Sequence, residues 1–278
     1  MYLRSYVFHL RARNLSPRTI KATEEYLRPF LKTHDPLAAT KRDIEVWLGD
    51  LSERCKPSTV WTSWRHLRGF FKWLHAEGDI KIDPLVSVAK PIVPPSEIPV
   101  LTKVQIRSLL ATCNSKDADS RRDKAILTVM LDIGLRLSET ASLTIEDLGE
   151  DGTLRIFGKG RKFRTVVLGN TSGTALSRWL RFRSVSNDSL WAKSRGGLTP
   201  TGLRKMIQRR GVQAGFHLTP HQLRHTFVDQ WLRNSGSEVD LARLAGWSST
   251  AMAGRYAQHR AAERALTAHK TIAPLDRL

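Results

Sequence analysis

Lys90-Pro91-Ile92-Val93-Pro94-Pro95-Ser96-Glu97-Ile98-Pro99 places four prolines in ten residues. Each proline fixes its own φ and removes a backbone donor, so the run cannot continue a helix and stays stiff and extended. It splits the 278-residue chain into residues 1–88, a linker at 89–100, and residues 101–278. Asp83-Pro84 ends the helical pattern on one side, and Thr102 is placed to cap a new helix on the other.

Before the linker every periodic segment reads as a helix. A short one is expected near residues 2–12. Ser16-Pro17 is a start signal, because Ser accepts from free amides and Pro fits the first helical position. Ile20, Tyr26, Leu27, Phe30 and Leu31 follow at helical spacing. Thr40 caps a third helix with Ile44, Trp47, Leu48 and Leu51 on one face. Pro57 opens a fourth with Val60, Trp64, Leu67, Phe71 and Leu74 inside. Trp47, Trp61, Trp64, Phe70, Phe71 and Trp73 are expected in the core.

Beyond the linker the pattern is mixed. Thr102 starts a helix holding Ile106, Leu109 and Leu110, and Ala125 to Ile133 reads as a buried helix. Leu154–Phe157 and Phe163–Leu168 are short strands joined by Gly158-Lys159-Gly160-Arg161-Lys162 as a hairpin. Helices follow near 172–183, 201–211, 220–233, 238–245 and 249–257. The fold class is mainly α, a four-helix unit followed by a helical domain with a small antiparallel sheet.

Forty-five Lys and Arg against 26 Asp and Glu give a net charge of +19. Residues 1–90 hold 16 of the basic and 10 of the acidic residues, so the excess is not a tail. Such a balance points to a polyanionic partner, above all nucleic acid. Cys55 and Cys113 lack metal or disulfide spacing and fit a reducing compartment. No signal peptide or membrane span is read, so a cytoplasmic place is expected.

The chemistry-bearing residues are few. Tyr256 is the one tyrosine in the last third of the chain; Tyr2, Tyr6 and Tyr26 lie near its start. Upstream are Arg224 and His221 in Thr219-Pro220-His221-Gln222-Leu223-Arg224-His225, Lys159 in Gly158-Lys159-Gly160, and Arg136 in Gly134-Leu135-Arg136-Leu137-Ser138-Glu139. Alone, Arg136 reads first as a surface partner of Glu139, Lys159 as a solvated turn residue, and His221 with Arg224 as a cap or surface pair. His221 and His225 lack a third ligand, and position 222 is Gln, so no metal is expected. Together the residues fill a phosphodiester-transfer site. Two guanidiniums face the non-bridging oxygens, a phenol attacks, and a lysine protonates the leaving oxygen. No acidic cluster suggests two-metal chemistry, and no phosphate-binding loop suggests ATP.

On these motifs, in this order and spacing, the chain resembles the tyrosine recombinases, or phage integrases, over nearly its whole length. It looks closest to short bacterial recombinases that resolve chromosome dimers and to small phage integrases. The resemblance implies an N-terminal core-binding (SAM-like) domain and a catalytic domain of tyrosine recombinase fold. It implies that Arg136 and Arg224 bind the scissile phosphate, Glu139 orders the site, and Lys159 is the acid, with Lys162 and Arg161 as rivals. His221 would assist proton transfer with Tyr256, and His225 is the usual following histidine. Trp247, in Ala245-Gly246-Trp247-Ser248, stands where histidine is common and is left with hydrogen bonding and packing. Tyr256, nine residues later, is the nucleophile.

The implied reaction is strand exchange through a 3′-phosphotyrosyl link and a Holliday junction, without cofactor or ATP. The implied partners are double-stranded DNA and a homotetramer on two DNA sites, with a paralogous recombinase or a DNA-bending accessory protein as further candidates. The linker would let both domains clamp one duplex, and residues 265–278 would dock on a neighbouring subunit. No room is seen for an extra N-terminal domain. Arg65, Arg68, Lys162, Lys205, Arg209 and Arg210 are candidate DNA contacts. A type IB topoisomerase and a noncatalytic DNA-binding relative are the competing readings.

Overall fold

The computed structural model describes residues 1–94, 97–158, 163–183, 187–193, 196–259 and 269. The chain divides into two compact units, Met1–Ser96 and Glu97–Leu278.

The first unit is four helices, α1 (Tyr2–Ala12), α2 (Pro17–Leu31), α3 (Lys41–Arg54) and α4 (Pro57–Glu77). Their starts follow the cap chemistry. Ser16 accepts from the Thr19 amide, and Thr40 and Asp43 form a reciprocal capping box. Gly78, in the left-handed region at φ 83°, stops α4. Leu27, Phe30, Ile44, Leu67, Phe70, Phe71 and Leu74 are fully enclosed, and each contributes about 1.5–3 kcal/mol of burial. Trp61 departs from the expected core. It is half-buried, with Arg65 and Lys90 over its ring at 5.2 and 5.7 Å. Arg68 likewise lies over Trp64 at 5.1 Å, and both arginines are exposed.

The second unit is built on α6 (Ala118–Ile133), which is buried on several sides and packs against α8 (Asn170–Leu180) and α10 (Pro220–Arg233). Around it run α5 (Lys103–Ala111), α7 (Leu137–Ser142), α9 (Pro200–Gln213), α11 (Glu238–Ala245) and α12 (Ala251–His259). Strands β1 (Thr153–Phe157) and β2 (Phe163–Val167) pair antiparallel, with Ile156 opposite Arg164. A second two-residue pair, β3 (Ala192–Lys193) with β4 (Gly196–Gly197), was not expected. Trp191 is fully buried and its indole donates to Thr140 O at 2.7 Å, which fixes α7.

Arg210, expected at the DNA, is instead enclosed. It donates to Asp123 Oδ2 from Nε at 2.9 Å and to Thr112 O from Nη1 at 2.6 Å. Asp123 is completely buried and also takes Arg122 at 2.7 Å and Arg209 at 3.0 Å. A buried carboxylate must be paired, and removing one partner of such a network costs about 3–5 kcal/mol. Arg210 is therefore structural. Arg209 shares that anchor with half its side chain exposed, and Lys205 is exposed on α9. Among the described residues no helix is long and apolar enough to cross a membrane.

Candidate active site

The site gathers at the C-terminal end of α11. Gly246 closes this helix at φ 64°, and Gly134 closes α6 at φ 63°. At Gly134 a Cβ would lie 2.2 Å from Phe227, so only glycine lets the chain turn there and deliver Arg136 at once.

Three arginines then converge on three successive carbonyls. Arg164 Nε donates to Leu244 O at 2.7 Å, Arg224 Nη2 to Ala245 O at 2.7 Å, and Arg136 Nη2 to Gly246 O at 3.2 Å. The carbonyl end of a helix carries partial negative charge, which favours cations there. Arg224 also donates to Gly134 O at 2.6 Å and is 6% exposed. Burial first, then the charge of Arg136, lowers its pKa to about 10, so it remains cationic at neutral pH.

Glu139 lies beneath. Its Oε1 accepts from Arg136 Nη1 at 2.7 Å and its Oε2 from the Arg136 amide at 2.9 Å. Burial alone would raise its pKa, but the hydrogen bonds and charges of Arg164 and Arg136 outweigh it and hold the carboxyl at about 2. A carboxyl depressed in the folded state stabilises the fold above its ordinary pKa of 4.5 and loses that contribution as pH falls towards 2. Glu139→Gln is expected to lower unfolding free energy at pH 7 by about 3 kcal/mol. The difference from wild type should vanish as pH falls through 4.5 to 2. Denaturant titrations across that range check both points.

Tyr256 sits on α12, 4% exposed, among Phe227, Val228, Leu241 and Ala253. The Trp247 indole stacks near its ring at 6.1 Å and 21°, with the Arg224 guanidinium over the indole at 5.5 Å. The Tyr256 hydroxyl is hydrogen-bonded to His225 Nδ1. Burial first, then the charges of His221, Arg224 and Arg255, lowers His225 to about 4, whereas burial raises Tyr256. At neutral pH the imidazole is neutral and the phenol protonated, and in the tautomer that carries its proton on Nε2 the phenol donates and Nδ1 accepts. The partner expected for Tyr256 was His221. In this structure that imidazole is exposed, 6.2 Å from the His225 ring. One α-helical step explains the change: residue 225 stands a turn nearer to α12.

A cleft of about 620 Å³ opens above the convergence, lined by Arg136, Phe163, Arg164, Arg243, Trp247 and Met252 among others, with no carboxylate among the described residues of its wall. Its arginines suit a phosphodiester's oxygens, and Tyr256, which does not line it, packs behind the Trp247 that does. Lys159 and Lys162 fall outside the described residues, as does the 265–278 segment apart from residue 269. Arg164 was missed by sequence reasoning. Strand alternation puts it on the inward face with Val166, and an inward arginine demands a buried carboxylate.

The chain is similar to known proteins over most of its length. Residues 99–263, more than half of the chain, match the model of the phage integrase family, and residues 3–78 match the phage integrase N-terminal SAM-like domain. The chain is 29% identical over 253 residues to the tyrosine recombinase XerD of Listeria monocytogenes, covering 84% of this chain and 85% of that protein. It is 34% identical over 190 residues to the tyrosine recombinase XerC of Pseudomonas aeruginosa, covering 66% of this chain and 63% of that protein. A solved lambda integrase tetramer bound to a Holliday junction has a similar fold, with TM-score 0.74, 15% identity, and coverage of 90% of this chain and 77% of that one.

Proposed function

Since this chain belongs to the phage integrase family, and is thereby a tyrosine-type recombinase that cleaves and rejoins DNA, we propose that Tyr256 is its nucleophile and that Arg136 and Arg224, at the end of α11, are its phosphate grip. The observation that carries the assignment is the convergence of Arg136 and Arg224 on consecutive carbonyls, with the Tyr256 ring stacked against the Trp247 that Arg224 covers.

In the reaction, Tyr256 Oη attacks the scissile phosphorus, a 3′-phosphotyrosyl bond forms and the bond to the 5′ oxygen breaks. The phenolic proton leaves through an imidazole, and Lys159, or its rival Lys162, protonates the departing oxygen. A 5′ hydroxyl of a second duplex then attacks the phosphotyrosyl bond and expels Tyr256. One phosphodiester is exchanged for another, so this chemistry consumes no ATP. Arg136 and Arg224 hold the non-bridging oxygens, where charge grows in the transition state. Trp247 packs the nucleophile and offers an indole donor in place of an imidazole.

Residues 1–88 act as the core-binding module, 89–100 as linker and 101–278 as catalytic module. The chain works as a tetramer on two DNA sites by way of a Holliday junction, as lambda integrase is seen, in the cytoplasm on the nucleoid. Arg65 and Arg68, exposed on α4, and Lys205 and Arg209 on α9 contact the duplex.

Selecting covalent adducts from a random-sequence duplex pool yields the chain's site. Supercoiled plasmids with one or two copies of that site then discriminate the outcomes. Joint or excised products that need two sites are expected. Relaxation alone would make the protein a topoisomerase and overturn the recombinase assignment.

A further inference from the structure

Arg164 belongs to none of the roles above, yet it makes the densest set of polar contacts near the cleft. Its side chain is 13% exposed. Nη1 and Nη2 donate to Glu139 Oε1 and Oε2 at 3.1 and 2.9 Å, a two-pronged pair, while Nε donates to Leu244 O at 2.7 Å. Gly246, at φ 64°, closes over it so tightly that a Cβ there would stand 2.9 Å from Arg164 Nη1.

Arg136 has two anchors for its guanidinium, Glu139 Oε1 and Gly246 O. Arg164 holds both. It clamps the Glu139 carboxylate by both oxygens, and it ties down Leu244 O, two residues before Gly246 on the same turn. Without it, Glu139 keeps only Arg136 as an arginine partner and is freer to rotate, and the 244–246 turn loses one of three arginine contacts. The phosphate-facing group would then be held by a mobile carboxylate and a loosened turn. Misplacement of a reacting or stabilising group by about 1 Å costs about 100-fold in rate.

We propose that Arg164 is a positioning residue for the recombination chemistry, setting Arg136 through Glu139 and the end of α11. It touches no substrate in this role. The inference rests on the reading of Arg136 as a phosphate-binding residue. Arg164 also sits on the strand that follows Lys159 and Lys162 in sequence, so an effect through the leaving-group acid is the rival account, and the test separates the two.

The test is single-turnover cleavage of a nicked suicide duplex carrying the selected site, made with an ordinary 5′ oxygen or with a bridging 5′ sulfur at the scissile phosphate. The sulfur leaves without an acid, so only phosphate stabilisation and attack limit its rate. At saturating protein, Arg164→Ala is expected to cleave about 10- to 100-fold more slowly than wild type on both substrates. Because Arg164→Ala exposes a buried carboxylate to loss of a partner, Arg164→Lys is measured in parallel. It keeps a charge but not the fork, and should fall between the two with a folded circular-dichroism spectrum. In an Arg136→Ala background, adding Arg164→Ala should change the sulfur-substrate rate by no more than about twofold, since residues acting through one another do not add. Wild-type rates for both Arg164 variants, full rescue by the sulfur substrate, or an undiminished Arg164 effect without Arg136 would each overturn the proposal. A wild-type chain that forms no adduct, or a Tyr256→Phe chain that does, defeats the underlying reading and this inference with it.

Discussion

Tyr256→Phe is expected to bind its duplex and form no covalent adduct. The substitution removes one oxygen, the atom that attacks phosphorus and is hydrogen-bonded to His225. The ring remains, so contacts with Phe227, Leu241 and Ala253 are kept. Losing the hydrogen bond to His225 leaves Nδ1 without its partner, a cost of about 1–3 kcal/mol if no water replaces it. The variant should therefore fold, with an unfolding midpoint only slightly lowered. Incubation with a suicide duplex labelled at the 5′ end of the cleaved strand, followed by denaturing electrophoresis, reads the adduct directly, and a band shift with the same duplex reads binding. A labelled adduct in the variant would move the nucleophile elsewhere in the chain. His225→Ala gives a second comparison. If the neutral imidazole is the acceptor of the phenolic proton, cleavage slows while binding holds, whereas the same loss at His221 alone would return the role to the exposed histidine.

Much of this site was legible before any coordinates. Local signals carry the frame. Ser16, Thr40, Thr102 and Thr219 begin helices because a side-chain oxygen meets a free amide three residues on, a contact written within four residues of sequence. The spacing of Gly134, Arg136 and Glu139 is equally local: glycine turns the chain, and the Glu139 carboxylate accepts the Arg136 amide three residues back and so places the arginine. What stayed hidden is set by contacts far apart in sequence. Arg136 reaches Gly246 across 110 residues, and Arg164 reaches Leu244 across 80. No period or cap predicts which of several arginines will find a helix end. Arg210 shows the converse. Its chemistry is that of a DNA contact, and only the burial of Asp123, 87 residues away, makes it a structural ion pair. The exchange of His221 for His225 at the phenol likewise turns on how α10 faces α12, which amphipathic spacing does not resolve to a single residue. The hairpin β3–β4 escaped because two residues per strand carry no alternation to read.

Arg224→Ala is expected to slow single-turnover cleavage by about 100- to 1,000-fold, the usual loss when one fixed donor to a developing oxyanion is removed. The structure makes a second cost part of the same substitution. Arg224 satisfies Gly134 O and Ala245 O from the two ends of its fork, and both carbonyls close helices that frame the site. Truncation leaves them unpaired, at about 1–3 kcal/mol each where water cannot enter. Rate and stability must therefore be read separately. Cleavage is measured with protein saturating and below the variant's unfolding transition, and Arg224→Lys is measured beside it. Lysine keeps the charge, but one ammonium cannot span both carbonyls and a phosphate oxygen. If the guanidinium acts on the phosphate, Lys recovers part of the stability and little of the rate. If Arg224 were only a brace, rate would follow stability in both variants. Its pKa of about 10 adds a further check, because the wild-type residue stays charged throughout the neutral range. Any acid or base limb near pH 7 must then arise elsewhere.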